Sequence, residues 1–341
     1  MDFVVVDDKA SVDLGHKGSG AVKGILLASS LMLGFVAQPA QAALTFNFNY
    51  LSDGVGFTDP TYGAQRQAAL NSAANRLGAY FSNYTAEVTY DVTSYSMDDN
   101  TLASAGSGAY LDPGHFQQTF VQSKILTGVD ANGSAADGEI NWNFFHNWGL
   151  GDAVASDQYD FTSTAMHELM HSFGFISYIG EGGVGGGGQN PGNADTWTIY
   201  DEWLVDANGD YLISDDGVFY PESVDALTAG TENSAGVYFA GEHAVAANDG
   251  QWVPIYSPAP WDDGSSIAHL DDNSDITDYV LMNAVAHGTG LDVRTLSGIE
   301  LGVLQDIGYT QVSAVPVPAA IWFMASGLLA LFGFSRKHKE A

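Results

Sequence analysis

Residues 162 to 177 read TSTAMHELMHSFGFIS, which sets His167 and His171 four positions apart with Glu168 after the first. On a helix, residues four apart lie one turn above each other on the same face, so both imidazoles can aim a ring nitrogen at one metal ion. The donor type favours zinc, Zn2+. Glu168 sits beside the first histidine, where it can hold a zinc-bound water and take its proton rather than ligate the metal. Nine His in 341 residues, against as few Glu, leave about 0.007 matches to this pattern expected by chance. A catalytic zinc site takes three protein ligands and keeps a position open, so one ligand is still missing. Short-range candidates fail, because position 177 is Ser, Glu181 borders a glycine run and Glu202 lies in a hairpin pattern. The remaining histidines outside the motif and the chain ends are His115, His146, His243, His269 and His287.

The elements that must position this motif follow from periodicity. GAQRQAALNSAANRLGAYF (63 to 81) carries Leu70, Ala73, Ala74, Leu77 and Phe81 at helical spacing, whereas AEVTYDVTSYS (86 to 96) alternates Val88, Tyr90 and Val92 with Thr89, Asp91 and Thr93. A second helix is expected over 115 to 126 and a strand over 138 to 145. In the motif helix, Met166, Leu169, Met170 and Phe173 fall mostly opposite the histidines, as a helix open on its metal face requires. Thr162 or Ser163 should cap its start, and Gly174 should end it. The run GEGGVGGGGQNPGN (180 to 193) has too little side-chain surface to pack and is expected to be a mobile surface loop. Over 198 to 214, Asn208 and Gly209 between apolar runs signal a hairpin. Asp206, Asn208 and Asp210 imitate the first ligands of a calcium loop, but Tyr211 stands where such a loop needs glycine, so a turn is expected there. The last helix, over 295 to 309, has a Ser297/Glu300 capping box, an apolar face of Ile299, Val303, Leu304 and Ile307, and a stop at Gly308.

Both chain ends carry targeting patterns. Lys17 and Lys23 precede the apolar run GILLASSLMLGFVA and the small residues Ala40 and Ala42, which makes residues 1–42 a signal peptide. Residues 315–334 are uncharged and long enough to span a membrane, and Arg336, Lys337 and Lys339 follow at once, so this end should stay cytoplasmic. Between the ends only Arg66, Arg76, Lys124 and Arg294 are basic, against a large majority of carboxylates. Nucleic acid and anionic lipid are excluded as partners on that balance, and cations are the natural counterpart. With no cysteine, disulfides and thiol chemistry are excluded. Stability must come from the core, with structural calcium, Ca2+, as a second candidate ion. No Gly-x-Ser-x-Gly elbow supports a serine hydrolase.

Taken in order, YDFTSTAMHELMHSFGF, a long insertion, SSIAHLDD, YVLMNAV and LSGIELGVLQDIGY resemble a group of exported bacterial zinc metalloproteases. The arrangement is also similar to leishmanolysin, a metzincin whose third ligand is displaced by an insertion. The tail, with its paired prolines, apolar span and short basic end, resembles the PEP-CTERM class of sorting tails, which an exosortase-like enzyme is thought to recognise and remove. This resemblance covers about 130 to 310 and the tail. It implies that the third ligand follows the motif and shortly precedes a methionine turn, which singles out His269 with Met282 thirteen residues later. Asp271 and Asp272 then become the expected acceptors for the other ring nitrogen of His269. The implied fold is a metzincin-like α+β catalytic domain over 43–312, with a mixed twisted sheet, two long helices in its first half and an irregular C-terminal half; residues 313–341 form the tail. The implied function is zinc-dependent endopeptidase action on proteins outside the cytoplasm, with Glu168 as the base. The rival is a non-catalytic metal-binding envelope or matrix protein, for which Glu168 would have no use.

Overall fold

The computed structural model describes residues 44–314 apart from 52–53, 232–233, 273–276 and 278. The expected signal peptide and the 315–334 span lie outside the described residues. Among the described residues, no helix is long and apolar enough to cross a membrane.

The alternating pattern of residues 86 to 96 becomes β2 (Ala86–Tyr95), which buries Val88, Tyr90 and Val92 and leaves Thr89, Asp91 and Thr93 partly exposed. It lies between β1 (Leu44–Tyr50) and β5 (Gly138–Asn143), parallel to both, and β3 (Ala103–Gly106) closes the sheet antiparallel to β5. The order β1-β2-β5-β3 makes the sheet mixed and leaves β3 as an edge. Between β1 and β2 runs α1 (Gly63–Gly78), whose Leu70, Ala73, Ala74 and Leu77 have no solvent exposure. The protein is therefore of mixed α+β class.

Residues 115 to 126 depart from the expected helix. They form β4 (His115–Gln117) and then α2 (Phe120–Thr127), which starts at a Thr119/Gln122 capping box. The box fixes the helix start inside the expected range, and the residues before it pair in parallel with β8 (Thr196–Thr198). Next come β6 (Trp148–Gly149) and β7 (Tyr159–Asp160), a short parallel pair leading into the motif helix α3 (Phe161–Ser172). Helix α3 packs against α1 and β3. Its Met166, Leu169, Met170 and Phe173 are fully buried, each contributing about 1.5–3 kcal/mol by leaving water.

The second half is largely irregular, as expected. A small antiparallel sheet runs β9 (Leu204–Asp206), β10 (Val237–Phe239) and β11 (Val253–Ile255), with β10 in the centre. The Asn208–Gly209 turn forms, and the Asp206 carboxylate accepts from the backbone N–H of Asn208 and of Asp210, so these residues build a turn rather than a cation loop. The glycine run is not the loose loop its composition suggested. Asp195, fully buried, accepts from the N–H groups of Gly187, Gln189 and Thr196, and a Cβ on Gly185 would stand 2.6 Å from its carboxylate. Small residues are required there because backbone, not side chains, packs around a buried anion. Finally α4 (Glu242–Ala247) lies on α5 (Gly298–Asp306), which has the Ser297/Glu300 capping box and ends before Gly308 at φ +116°.

Candidate metal centre

Asp160, not Thr162 or Ser163, caps α3. Its Oδ1 accepts from the N–H groups of both residues, and its Oδ2 accepts from Arg294 Nε at 2.7 Å. The helix then runs without interruption through His167, Glu168 and His171. It ends where Gly174 turns the chain at φ +101°, a position at which any Cβ would meet the Gln122 side chain 2.7 Å away. That turn brings the Phe175 carbonyl back to His171 Nδ1 at 2.8 Å.

His269 reaches the same place from a segment held on both sides. Tyr256 N donates to the His269 carbonyl and Leu270 N donates to the Met282 carbonyl, so residues 267–271 lie between β11 and the turn at Met282. Ile267, fully buried, takes φ +69° there, a strained conformation for a β-branched residue. The imidazole Nε2 atoms of His167, His171 and His269 stand 3.1, 3.1 and 3.2 Å apart, and these three residues form a group able to hold a metal ion. His269 Nδ1 faces the Ser265 carbonyl at 2.8 Å, and His167 Nδ1 faces the Leu281 carbonyl at 2.7 Å.

These carbonyls decide the chemistry. A carbonyl oxygen only accepts, so each Nδ1 carries the proton and each Nε2 presents a lone pair to the other two. Hydrogen bonds among three such acceptors are impossible, and a cation placed between them would stabilise their convergence. A tetrahedral ion with bonds of about 2.0–2.1 Å would hold its nitrogens about 3.3 Å apart, which the triad matches. Burial acts in the same direction. It pushes His171 down to about 3 and His269 well below the usual histidine range, in both cases with help from the neighbouring rings, and it also lowers His167. All three are thus held toward the neutral form, the form in which an imidazole can take a metal.

Glu168 lines the same cavity but stands outside the three-histidine group. Burial pushes its carboxyl up to about 8, against a weaker pull from the Ala105 N–H of β3. A cation in the triad would lower it again. The triad and Glu168 line a cavity of about 780 Å³, whose walls also include β3 residues Ala103, Ser104 and Ala105 and the segments 280–281 and 283–288.

The other described histidines lie outside the triad, though His146 and His287 line the same cavity. His243 pairs with Asp306, His115 with Asp112, and His146 with the Thr101 carbonyl, while His287 pairs with Asp292 in the cavity wall. Asp271 and Asp272 do not serve His269, because the Ser265 carbonyl already holds its Nδ1 and Asp272 accepts from Ala284 N. Met282 is fully buried, and its turn also supplies the Leu281 carbonyl to His167. Sequence reasoning saw Glu300 only as a helix cap. It is wholly buried and also accepts from Met282 N at 2.7 Å, which ties α5 to the turn. The Ser-x-x-Glu spacing signalled the cap, and nothing in the sequence signalled this second contact. No known protein-family model matches the chain, and no curated protein sequence matches it.

Proposed function

We propose that the chain is a zinc-dependent endopeptidase of metzincin-like type that acts on proteins outside the cytoplasm. The observation that carries this reading is the convergence of three neutral Nε2 lone pairs beside a buried, non-ligating carboxylate in an open cavity. Three nitrogens suit zinc. When bound, zinc would supply Lewis acidity toward a peptide carbonyl and make nearby water more acidic. Glu168 takes the proton of the attacking water and delivers it to the leaving nitrogen, a transfer its position on the triad face of α3 allows. Edge strand β3, whose Ala103, Ser104 and Ala105 line the cavity, offers backbone groups to an extended substrate chain. Export, anchoring by residues 315–334 and removal of the PEP-CTERM-like tail by an exosortase-like enzyme belong to the same proposal.

The test separates ligation from proton transfer. Glu168→Gln should keep one metal per chain while peptide hydrolysis falls by about 10²–10⁴, whereas His269→Ala should lose metal and activity together. Undiminished hydrolysis by Glu168→Gln would remove the mechanism. Wild-type protein that binds metal yet cleaves no peptide would favour the non-catalytic envelope role.

A further inference from the structure

Two histidines that line the cavity, His146 and His287, belong to neither the triad nor the proton transfer, and His287 sits between two side-chain partners. His287 lines the cavity wall, and its side chain is 21% exposed. Its Nδ1 donates to Asp292 Oδ1 at 2.8 Å, and its Nε2 lies 3.0 Å from Asn283 Oδ1. The Asn283 amide cannot be turned around, because its Nδ2 donates to the Thr277 carbonyl while its Oδ1 accepts from Val280 N. Both partners of the ring are therefore acceptors fixed in place, and the ring donates to both at once only as the imidazolium, with an N–H on each nitrogen. One imidazole spans the segment from Asn283 to Asp292, and Tyr279 covers it at 4.3 Å.

The far end of this bridge is anchored as well. Asp292 N donates to Asp160 Oδ2, the carboxylate that caps α3. Between the two ends, Ala284, Val285 and Ala286 line the cavity, the backbone N–H groups of Ala284 and Val285 donate to the Asp272 carboxylate, and Gly288 and Gly290 follow at positive φ. Thr289 Oγ1 to the Ser156 carbonyl and Gly290 N to the Gln158 carbonyl hold the distal part, as Asp272 holds the proximal part, and the His287 ring joins the two between them.

We propose that His287 is a positioning residue of the substrate cleft, which braces wall segment 284–288 against the cap of α3 so that an extended peptide meets a fixed surface in the cavity that β3 also lines. The proposal rests on the peptidase reading above. It places no metal and no reacting atom on His287.

The experiment compares full-length wild type with His287→Ala and His287→Gln in three measurements: metal content, kcat and KM on an internally quenched peptide, and amide hydrogen exchange across 284–290. For His287→Ala we expect unchanged metal, kcat within about threefold and KM raised about tenfold. Exchange in 284–290 should be faster by about tenfold or more. His287→Gln, which keeps a donor, should fall between. Three results would overturn the brace: wild-type KM with unchanged exchange, loss of metal, or a collapse in kcat at constant KM. If the wild type cleaves no peptide, the peptidase reading fails, and the exchange data alone decide the brace.

Discussion

A buried carboxylate that does not ligate has a measurable signature of its own at the level of a single residue. Burial raises Glu168 from 4.5 to about 8. Its folded pKa lies above its unfolded value, so its contribution to stability is fully present below pH 4.5 and is lost as pH rises through about 8. Glu168→Gln removes that titration. In metal-free protein the variant should match the wild type near pH 4.5 and exceed it at pH 8.5 by on the order of a few kcal/mol in denaturant unfolding. A gap that stayed constant between these pH values would mean the carboxyl is not buried as described. His167, Glu168 and His171 were legible because helix geometry converts their spacing directly into a shared face. His269 was not, since no local pattern joins it to the motif and only a resemblance picked it out. The carbonyls of Leu281, Phe175 and Ser265 were invisible for a different reason: backbone acceptors carry no residue type. Asp271 and Asp272 were misread on that account, as nearby carboxylates stood in for a carbonyl that the sequence cannot display.

Among the elements, long periodic segments were readable, and those set by a partner were not. Helix α1, β2 and α5 follow their patterns, down to the Ser297/Glu300 box. Residues 115–117 became a strand because β8, some eighty positions on, pairs with them. The glycine run was misjudged because its organiser, Asp195, lies just outside it. The cap of α3 makes the same point. Thr162 and Ser163 have suitable side chains, yet Asp160 accepts both N–H groups while also pairing with Arg294, with side chains 1% and 9% exposed. Asp160→Ala should therefore cost more than a cap, about 3–5 kcal/mol in urea unfolding, because Arg294 is left buried without its partner. Thr162→Ala should cost below about 1 kcal/mol. Equal costs for the two would return the cap to Thr162.

Across the whole chain, composition set limits on the partners but could not close the site. A net charge of −31 with four basic residues in the body explains why Arg294 and Lys124 are committed to buried carboxylates, and why cations are the fitting ligand. What composition could not show is that the triad joins two halves of the fold. Two nitrogens come from α3 and the third from a segment 98 residues beyond His171, so an ion held there would link the helical half to the irregular half. A ligand bound only by the folded chain stabilises it by about 4.1 kcal/mol at 1,000 times its Kd. In a domain of this size each kcal/mol moves Tm by about 2–4 °C. Chelation should thus lower Tm by roughly 10 °C, and added zinc should restore it. His269→Ala should melt at the lower temperature from the outset and ignore both reagents, while His243→Ala, whose ring is committed to Asp306, should respond as the wild type does. A wild-type Tm indifferent to chelator and zinc alike would show that the three converging nitrogens hold no metal.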